Sequence, residues 1–214
     1  MSNGRVTIID YGVGNIFSVQ RAFEHCGAEV LLTDSINEIL AADRLVLPGV
    51  GAFVDGMEGL RSRNLIEPIK QYVATGRPLL GICLGMQMLL DSSEEFGFQQ
   101  GLGLIAGKVV AIPDTGSDGK PHKIPHIGWN ELLVSEHGNW CGSILENTRP
   151  GSSVYFVHSY EVVPQHQENR LAYCSYNGRV TCAVVRSGSV YGCQFHPEKS
   201  GEPVLDIIRS FLTI

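Results

Sequence analysis

The sequence predicts an α/β protein with a mostly parallel central sheet, helices on both faces, and antiparallel strands that extend the sheet in the C-terminal half. Short apolar runs alternate with amphipathic helical segments through the first half of the chain, as in a parallel sheet with crossover helices. In the second half, strand-like runs follow one another closely, with turn signals such as Asn177-Gly178 between them. The chain contains no repeat or low-complexity tract, so one domain over residues 1–214 is expected.

In the first half, each expected strand leads into an expected helix. Gly27 is expected to end the first helix, because glycine readily adopts the left-handed conformation that follows helices. The expected strands cover residues 5–10, 29–33, 44–47 and 78–82. The expected helices cover residues 16–25, 36–41, 54–61, 65–75 and 84 to about 92.

The second half is predicted to be largely antiparallel. Its expected strands cover residues 108–112, 131–134, 154–158, 171–175, 180–186 and 190–195. A final helix is expected over residues 201–213. Residues 136–153 contain few recognisable signals, and no element is assigned to them.

Composition argues against several classes of function. The 214 residues include 16 basic and 22 acidic side chains, a formal net charge of −6, and no long basic run that would bind nucleic acid. We see no apolar stretch of membrane-spanning length and no signal-peptide pattern, so a cytoplasmic location without membrane contact is expected. Six cysteines occur without a Cys-x-x-Cys pair, which predicts free thiols and disfavours a zinc site. We expect no metal and no cofactor.

The segment Gly81-Ile82-Cys83-Leu84-Gly85 has the pattern of a nucleophile elbow. Small residues two positions before and after Cys83 permit a tight turn from strand to helix, which exposes the sulfur above the edge of the sheet. The N-terminus of the following helix is expected to stabilise the thiolate, and the Leu84 N–H can bond an oxyanion. The other five cysteines lack this setting and are interpreted as packing residues.

The segment His196-Pro197-Glu198 supplies a base and a carboxylate that can orient it. A thiol nucleophile needs a base to hold its proton, and the base needs a third group that fixes its ring. Side chains two residues apart on an extended segment point to the same side, and Pro197 is expected to keep this segment extended. The sequence therefore predicts a triad of Cys83, His196 and Glu198.

The elbow and the His-Pro-Glu segment, in this order, resemble those of the class I glutamine amidotransferases over essentially the whole chain. A set of five segments is similar, more narrowly, to the glutaminase subunits that serve histidine biosynthesis. These segments are 10–15 (DYGVGN), 48–53 (PGVGAF), 81–87 (GICLGMQ), 125–130 (PHIGWN) and 155–160 (YFVHSY). The resemblance implies that Cys83 attacks the side-chain amide of L-glutamine, that ammonia leaves, and that water hydrolyses the resulting thioester to glutamate.

The resemblance also implies roles for residues around the triad. The loop 48–51 would supply a second oxyanion donor, from Val50 or Gly51, and its two glycines would let the peptide between them rotate as a switch. One helical turn separates Gln87 from Cys83, so the two side chains are expected to face the same site. The implied substrate contacts are Gln87, Glu95, Ser159 and Tyr160.

A partner subunit follows from the same resemblance. The implied partner is a (βα)₈-barrel synthase that forms a heterodimer with the glutaminase, activates it and receives its ammonia. Trp129 has an alternative interpretation as a core aromatic residue. Lys199 directly follows the triad carboxylate, so a salt bridge there could link partner binding to the active site. The implied interface residues are Asn15, His126, Trp129 and Lys199.

Three other interpretations remain open from the sequence. The chain could be an amidotransferase subunit that feeds anthranilate, aminodeoxychorismate or pyridoxal phosphate synthesis, although segments 10–15 and 125–130 argue against this. It could be a non-catalytic regulatory subunit that retains the fold, which the intact triad disfavours. Protease-like relatives share the elbow, but they are not expected to contain the His-Pro-Glu segment.

Overall fold

The structure, a computed structural model, describes residues 4–199 and 201–214. Residues 1–3 and 200, which the predicted single domain includes, lie outside the described residues. The helices are α1 (Ile16–His25), α2 (Ile36–Ala41), α3 (Phe53–Ser62), α4 (Ile66–Ala74), α5 (Leu84–Met88) and α6 (Glu202–Phe211), with 3₁₀ turns at Gln167–Asn169 and Pro197–Lys199. The strands of the first half are β1 (Arg5–Ile9), β2 (Glu29–Thr33), β3 (Leu45–Gly49), β4 (Leu79–Cys83) and β5 (Leu90–Ser93).

The later strands are short and numerous. They are β6 (Gln99–Gln100), β7 (Ile105–Ala111), β8 (His126–Glu131), β9 (Leu133–Val134), β10 (Ser153–His158), β11 (Tyr160–Pro164), β12 (Arg170–Tyr176), β13 (Arg179–Ser187) and β14 (Val190–Cys193).

The central sheet has eight strands in the order β2-β1-β3-β4-β14-β13-β12-β9. The strands from β2 to β14 pair in parallel, and those from β14 to β9 pair antiparallel. The predicted fold class, a parallel sheet extended by antiparallel strands, is therefore confirmed. Because β3, β4 and β14 are parallel, their carboxyl ends meet at one edge of the sheet, where ligand sites of such folds form.

Helices cover both faces of this sheet. On one face, Phe23 of α1 and Phe211 of α6 pack edge to face, with ring centroids 6.2 Å apart, against strand residues such as Ile8. On the other face, the apolar sides of α2, α3 and α4 bury residues such as Ile39 and Leu60. Each face of the sheet has its own hydrophobic cluster. Successive residues of a strand belong to opposite clusters, because their side chains point to opposite faces. None of the described helices has the length and apolar character of a membrane span.

Two small sheets lie outside the central one and were not predicted as separate. Strands β8 and β10 form an antiparallel pair, and β11, β7, β5 and β6 form a four-stranded sheet. Strands β6, β11 and the first residues of β8 had no counterpart in the sequence analysis.

The predicted long helix after Cys83 is wrong beyond its first turns. Helix α5 ends at Met88, and the chain continues as strand β5 from Leu90. The run 84–92 is apolar enough for either element. Residues 84–90 are all buried, so no amphipathic period distinguishes a helix from a strand there. The dipole of a five-residue helix is also weaker than the longer helix would have provided.

Candidate active site

A pocket of about 300 Å³ opens at the carboxyl edge of β3 and β4, where Gly49 and Cys83 lie side by side in register. It brings together residues that lie far apart in the sequence, and nine predicted site residues are among those that line it. The lining residues are Val50, Gly51, Cys83, Leu84, Gln87, Glu95, Pro125, Val157, His158, Ser159, Tyr160 and His196.

Cys83 occupies the strained elbow that the sequence predicted. Its backbone has φ 55° and ψ −111°, in the left-handed half of conformational space that residues with a Cβ rarely enter. Close packing around the elbow leaves no room for side chains at the two flanking glycines. A Cβ at Gly85 would lie 1.8 Å from the Leu47 carbonyl oxygen, and a Cβ at Gly81 would lie 2.7 Å from the Gly85 oxygen. The turn therefore closes only because position 85 has no side chain, and closure presents the sulfur to the pocket.

His196 and Glu198 meet behind this sulfur, but by a different route from the one predicted. His196 Nδ1 lies 2.8 Å from Glu198 Oε1, and both side chains are nearly inaccessible to solvent. Pro197–Lys199 forms a 3₁₀ turn, with the Lys199 N–H donating to the His196 oxygen at 3.0 Å, so the expectation of an extended segment is wrong. The turn, rather than strand alternation, brings the carboxylate under the ring.

The environment of His196 favours its charged form. Burial by itself lowers the pKa of His196, but hydrogen bonds to Cys83 and Glu198, together with the charges of both groups, outweigh burial and raise the pKa to about 9. An imidazolium held between a sulfur and a carboxylate is the arrangement that stabilises a thiolate.

Gln87 faces the pocket as predicted, and a residue that the sequence analysis missed holds it there. Gln87 Nε2 donates to the Tyr160 carbonyl oxygen at 3.2 Å and to Gln194 Oε1 at 3.0 Å. Gln194 is fully buried, and its own Nε2 donates to Cys83 Sγ at 3.7 Å. The sequence feature that could have identified Gln194 is its spacing, because it precedes His196 by two residues near the end of the last strand.

The loop that was predicted to supply an oxyanion donor borders the pocket. The Tyr11 hydroxyl donates to the Pro48 carbonyl oxygen at 2.6 Å, and burial raises the pKa of Tyr11, so this donor keeps its proton. A Cβ at Gly49 would lie 2.6 Å from the Tyr11 oxygen. Gly51 has φ +103° with open space around its Cβ position, and Val50 is 39% exposed. The loop is thus held at one end and unobstructed at the other.

Glu95 reaches the pocket from the turn after β5. Its Oε2 accepts the Phe53 backbone N–H at 2.7 Å, at the first residue of helix α3. This bond satisfies one of the donors that a helix N-terminus leaves unpaired, and it fixes the carboxylate at the pocket wall.

A pair of buried histidines supports the far wall. His158 Nδ1 lies 2.8 Å from the Tyr160 carbonyl oxygen, and its Nε2 lies 3.0 Å from His126 Nδ1. His126 Nε2 in turn lies 3.0 Å from Asn130 Oδ1. Burial lowers the pKa of His158 to about 4 and also lowers that of His126. These contacts connect strand β8 to the carbonyl group that Gln87 also binds.

Three of the four residues predicted at a partner interface are exposed or partly exposed, and the fourth is buried. Trp129 is 55% exposed, so its alternative interpretation as a core residue is wrong. Lys199 is exposed, with Nζ 6.0 Å from the Tyr155 ring centre, and Asn15 is partly exposed. His126 is fully buried, so its predicted place near the interface stays a prediction about a residue beneath the surface.

All six cysteines are free, as predicted, but they are not all packing residues. Cys174, Cys182 and Cys193 are buried, and burial raises the pKa of each thiol. Cys141 is exposed, which contradicts its interpretation as a packing residue.

Comparison with known proteins identifies the family of this chain. Residues 7–213 match the sequence model of the family Glutamine amidotransferase class-I. A crystal structure of a glutamine amidotransferase superposes with a TM-score of 0.72, covering 98% of this chain and 99% of that one at 18% identity. PurLQS from Thermotoga maritima gives a TM-score of 0.70 at 21% identity, covering 99% and 98% of the two chains. The fold is therefore shared, and the chain belongs to the class I glutamine amidotransferases.

Within this class, the sequence is similar to one kind of subunit. Imidazole glycerol phosphate synthase subunit HisH 1 of Legionella pneumophila (strain Lens) is 58% identical over 210 residues, or 98% of this chain and 99% of the relative. Imidazole glycerol phosphate synthase subunit HisH of Geobacillus sp. (strain WCH70) is 48% identical over 209 residues, or 98% of this chain and 96% of the relative. The chain groups with these HisH subunits.

Proposed function

We propose that this chain is the glutaminase subunit of an imidazole glycerol phosphate synthase, with Cys83 as nucleophile, His196 as acid and base, and Glu198 as the carboxylate that orients the histidine. The observation that carries the proposal is the position of His196. Its Nδ1 lies 2.8 Å from Glu198 Oε1, and its ring lines the same pocket as Cys83 and Gln87.

The reaction follows from these groups. The Cys83 sulfur attacks the side-chain carbonyl carbon of L-glutamine, and the C–N bond breaks as His196 transfers a proton to the leaving nitrogen, which departs as ammonia. His196 then takes a proton from water, the hydroxide attacks the thioester carbon, and the C–S bond breaks to give glutamate and the thiolate. Glu198 stabilises the imidazolium at each stage where His196 carries the proton.

The oxyanion and the amino-acid end of the substrate are proposed to bind in separate parts of the pocket. Leu84, at the N-terminus of α5, and Val50 or Gly51 on the loop are proposed to donate backbone N–H groups to the tetrahedral oxygen. Gln87, Glu95, Ser159 and Tyr160 are proposed to hold the amino-acid end of glutamine. Glu95 suits the α-amino group, because its carboxylate is fixed by the Phe53 N–H and faces the same cavity.

The names of the relatives support a partner subunit. They are subunits of a synthase, and we propose that this chain likewise passes ammonia to a synthase subunit with a (βα)₈-barrel fold. Trp129 and Lys199 are proposed contacts because both are exposed. The free cysteines accord with a reducing cytoplasm, the proposed location.

Glutamine hydrolysis by the chain, alone and with its synthase subunit and the ribonucleotide ligand of that subunit, tests the proposed function. We expect strong stimulation of the wild type by the liganded partner and no activity for Cys83→Ala. Cys141→Ala is the matched control, because it removes an exposed thiol outside the pocket and should leave the rate unchanged. Hydrolysis by Cys83→Ala at the wild-type rate would overturn the assignment of the nucleophile.

A second experiment tests the proposed link between the interface and the site. Lys199 directly follows Glu198, and its exposed ammonium is placed to bond a carboxylate of the partner. Lys199→Ala should therefore reduce the partner-stimulated rate more than the basal rate. An equal loss of both rates would refute a role in communication.

A further inference from the structure

Gln194 has a buried side-chain amide that contacts both the proposed nucleophile, Cys83, and a proposed substrate-binding residue, Gln87. It is fully buried, and its two polar atoms face opposite ways, Oε1 towards Gln87 and Nε2 towards Cys83 Sγ. A buried amide whose partners are missing destabilises the folded state, so such a group is retained only where its partners are present.

The hydrogen-bonding partners determine which end of this amide faces the sulfur. The Tyr160 carbonyl oxygen can only accept, so the Gln87 group that contacts it at 3.2 Å must be the NH₂. The second N–H of Gln87 is then directed at Gln194, at 3.0 Å, and needs an acceptor there. The oxygen of the Gln194 amide therefore faces Gln87. The nitrogen of the Gln194 amide, which is a donor, then faces the Cys83 sulfur at 3.7 Å.

A donor at this position complements a thiolate, whose negative charge makes the sulfur a better hydrogen-bond acceptor than a neutral thiol. An N–H directed at sulfur stabilises the charged form of the thiol relative to the protonated form. The same bond restricts the rotation of the Cys83 side chain, and it comes from a fully buried group.

We propose that Gln194 is a positioning residue for the amidotransferase reaction: its amide holds the Cys83 thiolate in place for attack and fixes Gln87 towards the substrate. This proposal rests on Cys83 being the nucleophile. It makes Gln194 the link by which occupation of the substrate contact at Gln87 reaches the sulfur.

Two variants separate the two contacts. In its ionised form, Gln194→Glu retains an acceptor for the Gln87 N–H and loses the donor to the sulfur. Gln194→Met removes both groups and conserves length and volume. The assay is alkylation of Cys83 by iodoacetamide without glutamine, followed over pH and assigned by mass spectrometry. Exposed Cys141 in the same molecule is the internal reference.

Loss of the donor is expected to lower the alkylation rate of Cys83 at neutral pH about tenfold in both variants, and to move the pH midpoint upwards by about one unit. Cys141 should react as in the wild type. In steady-state kinetics, kcat should fall in both variants, and KM for glutamine should rise further in Gln194→Met.

A wild-type pH profile of Cys83 in either variant, with a native circular dichroism spectrum, would overturn the proposal. If Gln194→Met does not fold, Gln194→Glu decides the result by itself. Failure of the proposed function gives a different outcome, namely glutaminase activity in Cys83→Ala, while the alkylation profile still reports the contact between amide and sulfur.

Discussion

Replacement of Cys83 by glycine should leave the protein more stable than replacement by alanine, although both variants lack the sulfur. The reason is the backbone at this position, with φ 55° and ψ −111°. Alanine keeps the Cβ and therefore keeps the steric conflict, whereas glycine adopts such angles without it. The comparison separates the energy stored in the elbow from every contact that the sulfur makes.

The magnitude follows from two opposing contributions. A non-glycine residue in a sparsely populated region costs about 1–3 kcal/mol, which glycine releases. Glycine in return loses more conformational entropy on folding than alanine, about 0.5–1 kcal/mol. On balance, the unfolding free energy of Cys83→Gly should be larger than that of Cys83→Ala by about 1 kcal/mol.

Cys193 provides the matched control. It is a fully buried cysteine on the adjacent strand β14, paired in register with Ile82, and it is not among the described residues with positive φ. There no strain is released, so Cys193→Gly should be less stable than Cys193→Ala, by about 0.5–1 kcal/mol of conformational entropy and about 0.8 kcal/mol for the lost buried methyl group. The order of the two variants should therefore invert between the two positions.

Urea denaturation followed by circular dichroism measures all four variants, and thermal midpoints give a second measure, with about 2–4 °C expected per kcal/mol for a chain of this length. Glutaminase activity should be absent from both Cys83 variants whatever their stability. If glycine is as unfavourable at position 83 as at position 193, the elbow stores no strain and the reasoning is refuted.

Three further predictions concern the oxyanion loop and the histidines. Glu198→Gln removes the charge that lies 2.8 Å from His196 Nδ1, and kcat should fall about a thousandfold with little change in KM; a kcat near that of the wild type would exclude this role. Gly51→Ala and Gly27→Ala both place a Cβ in open space at positive φ, so each should lower the unfolding free energy by about 1 kcal/mol, but steady-state kinetics should show a lower kcat for Gly51→Ala alone. Burial lowers the pKa of His158 from 6.5 to about 4. Between these two pH values the unfolded chain binds a proton on this ring that the folded chain does not. The free energy of unfolding should therefore fall by about 3 kcal/mol in total as the pH is lowered through this range. Urea midpoints between pH 7 and pH 4 should therefore decline more steeply for the wild type than for His158→Gln, and parallel declines would contradict the assignment to this ring.

Local signals were sufficient where short-range rules control structure. The elbow at Cys83 follows from glycines at positions 81 and 85, because only a residue without a side chain permits the contact with the Leu47 oxygen. The alternation of apolar runs and amphipathic helices similarly predicted the parallel strands of the first half and the helices between them. These features depend on neighbours within a few residues, which a single sequence displays.

The apolar run after Cys83 shows where such rules stop. Residues 84–90 are buried throughout, so hydrophobic periodicity does not separate a helix from a helix followed by a strand. Pairing of β5 with β7 decides the outcome, and that pairing joins residues distant in the chain. The 3₁₀ turn at Pro197–Lys199 is a comparable case, because packing rather than strand alternation brings Glu198 to His196.

The amino-acid order alone determined the fold class, the elbow, and the residue types that an amide-cleaving site requires, since each depends on local sterics or on the chemistry of single side chains. Tertiary structure alone decided that His126 is buried while Trp129 is exposed, and that Gln194 lies between Gln87 and the sulfur. The physical reason is range. A hydrogen bond between residues 83 and 194 is made by the packing of two strands, and no pattern near either residue specifies it.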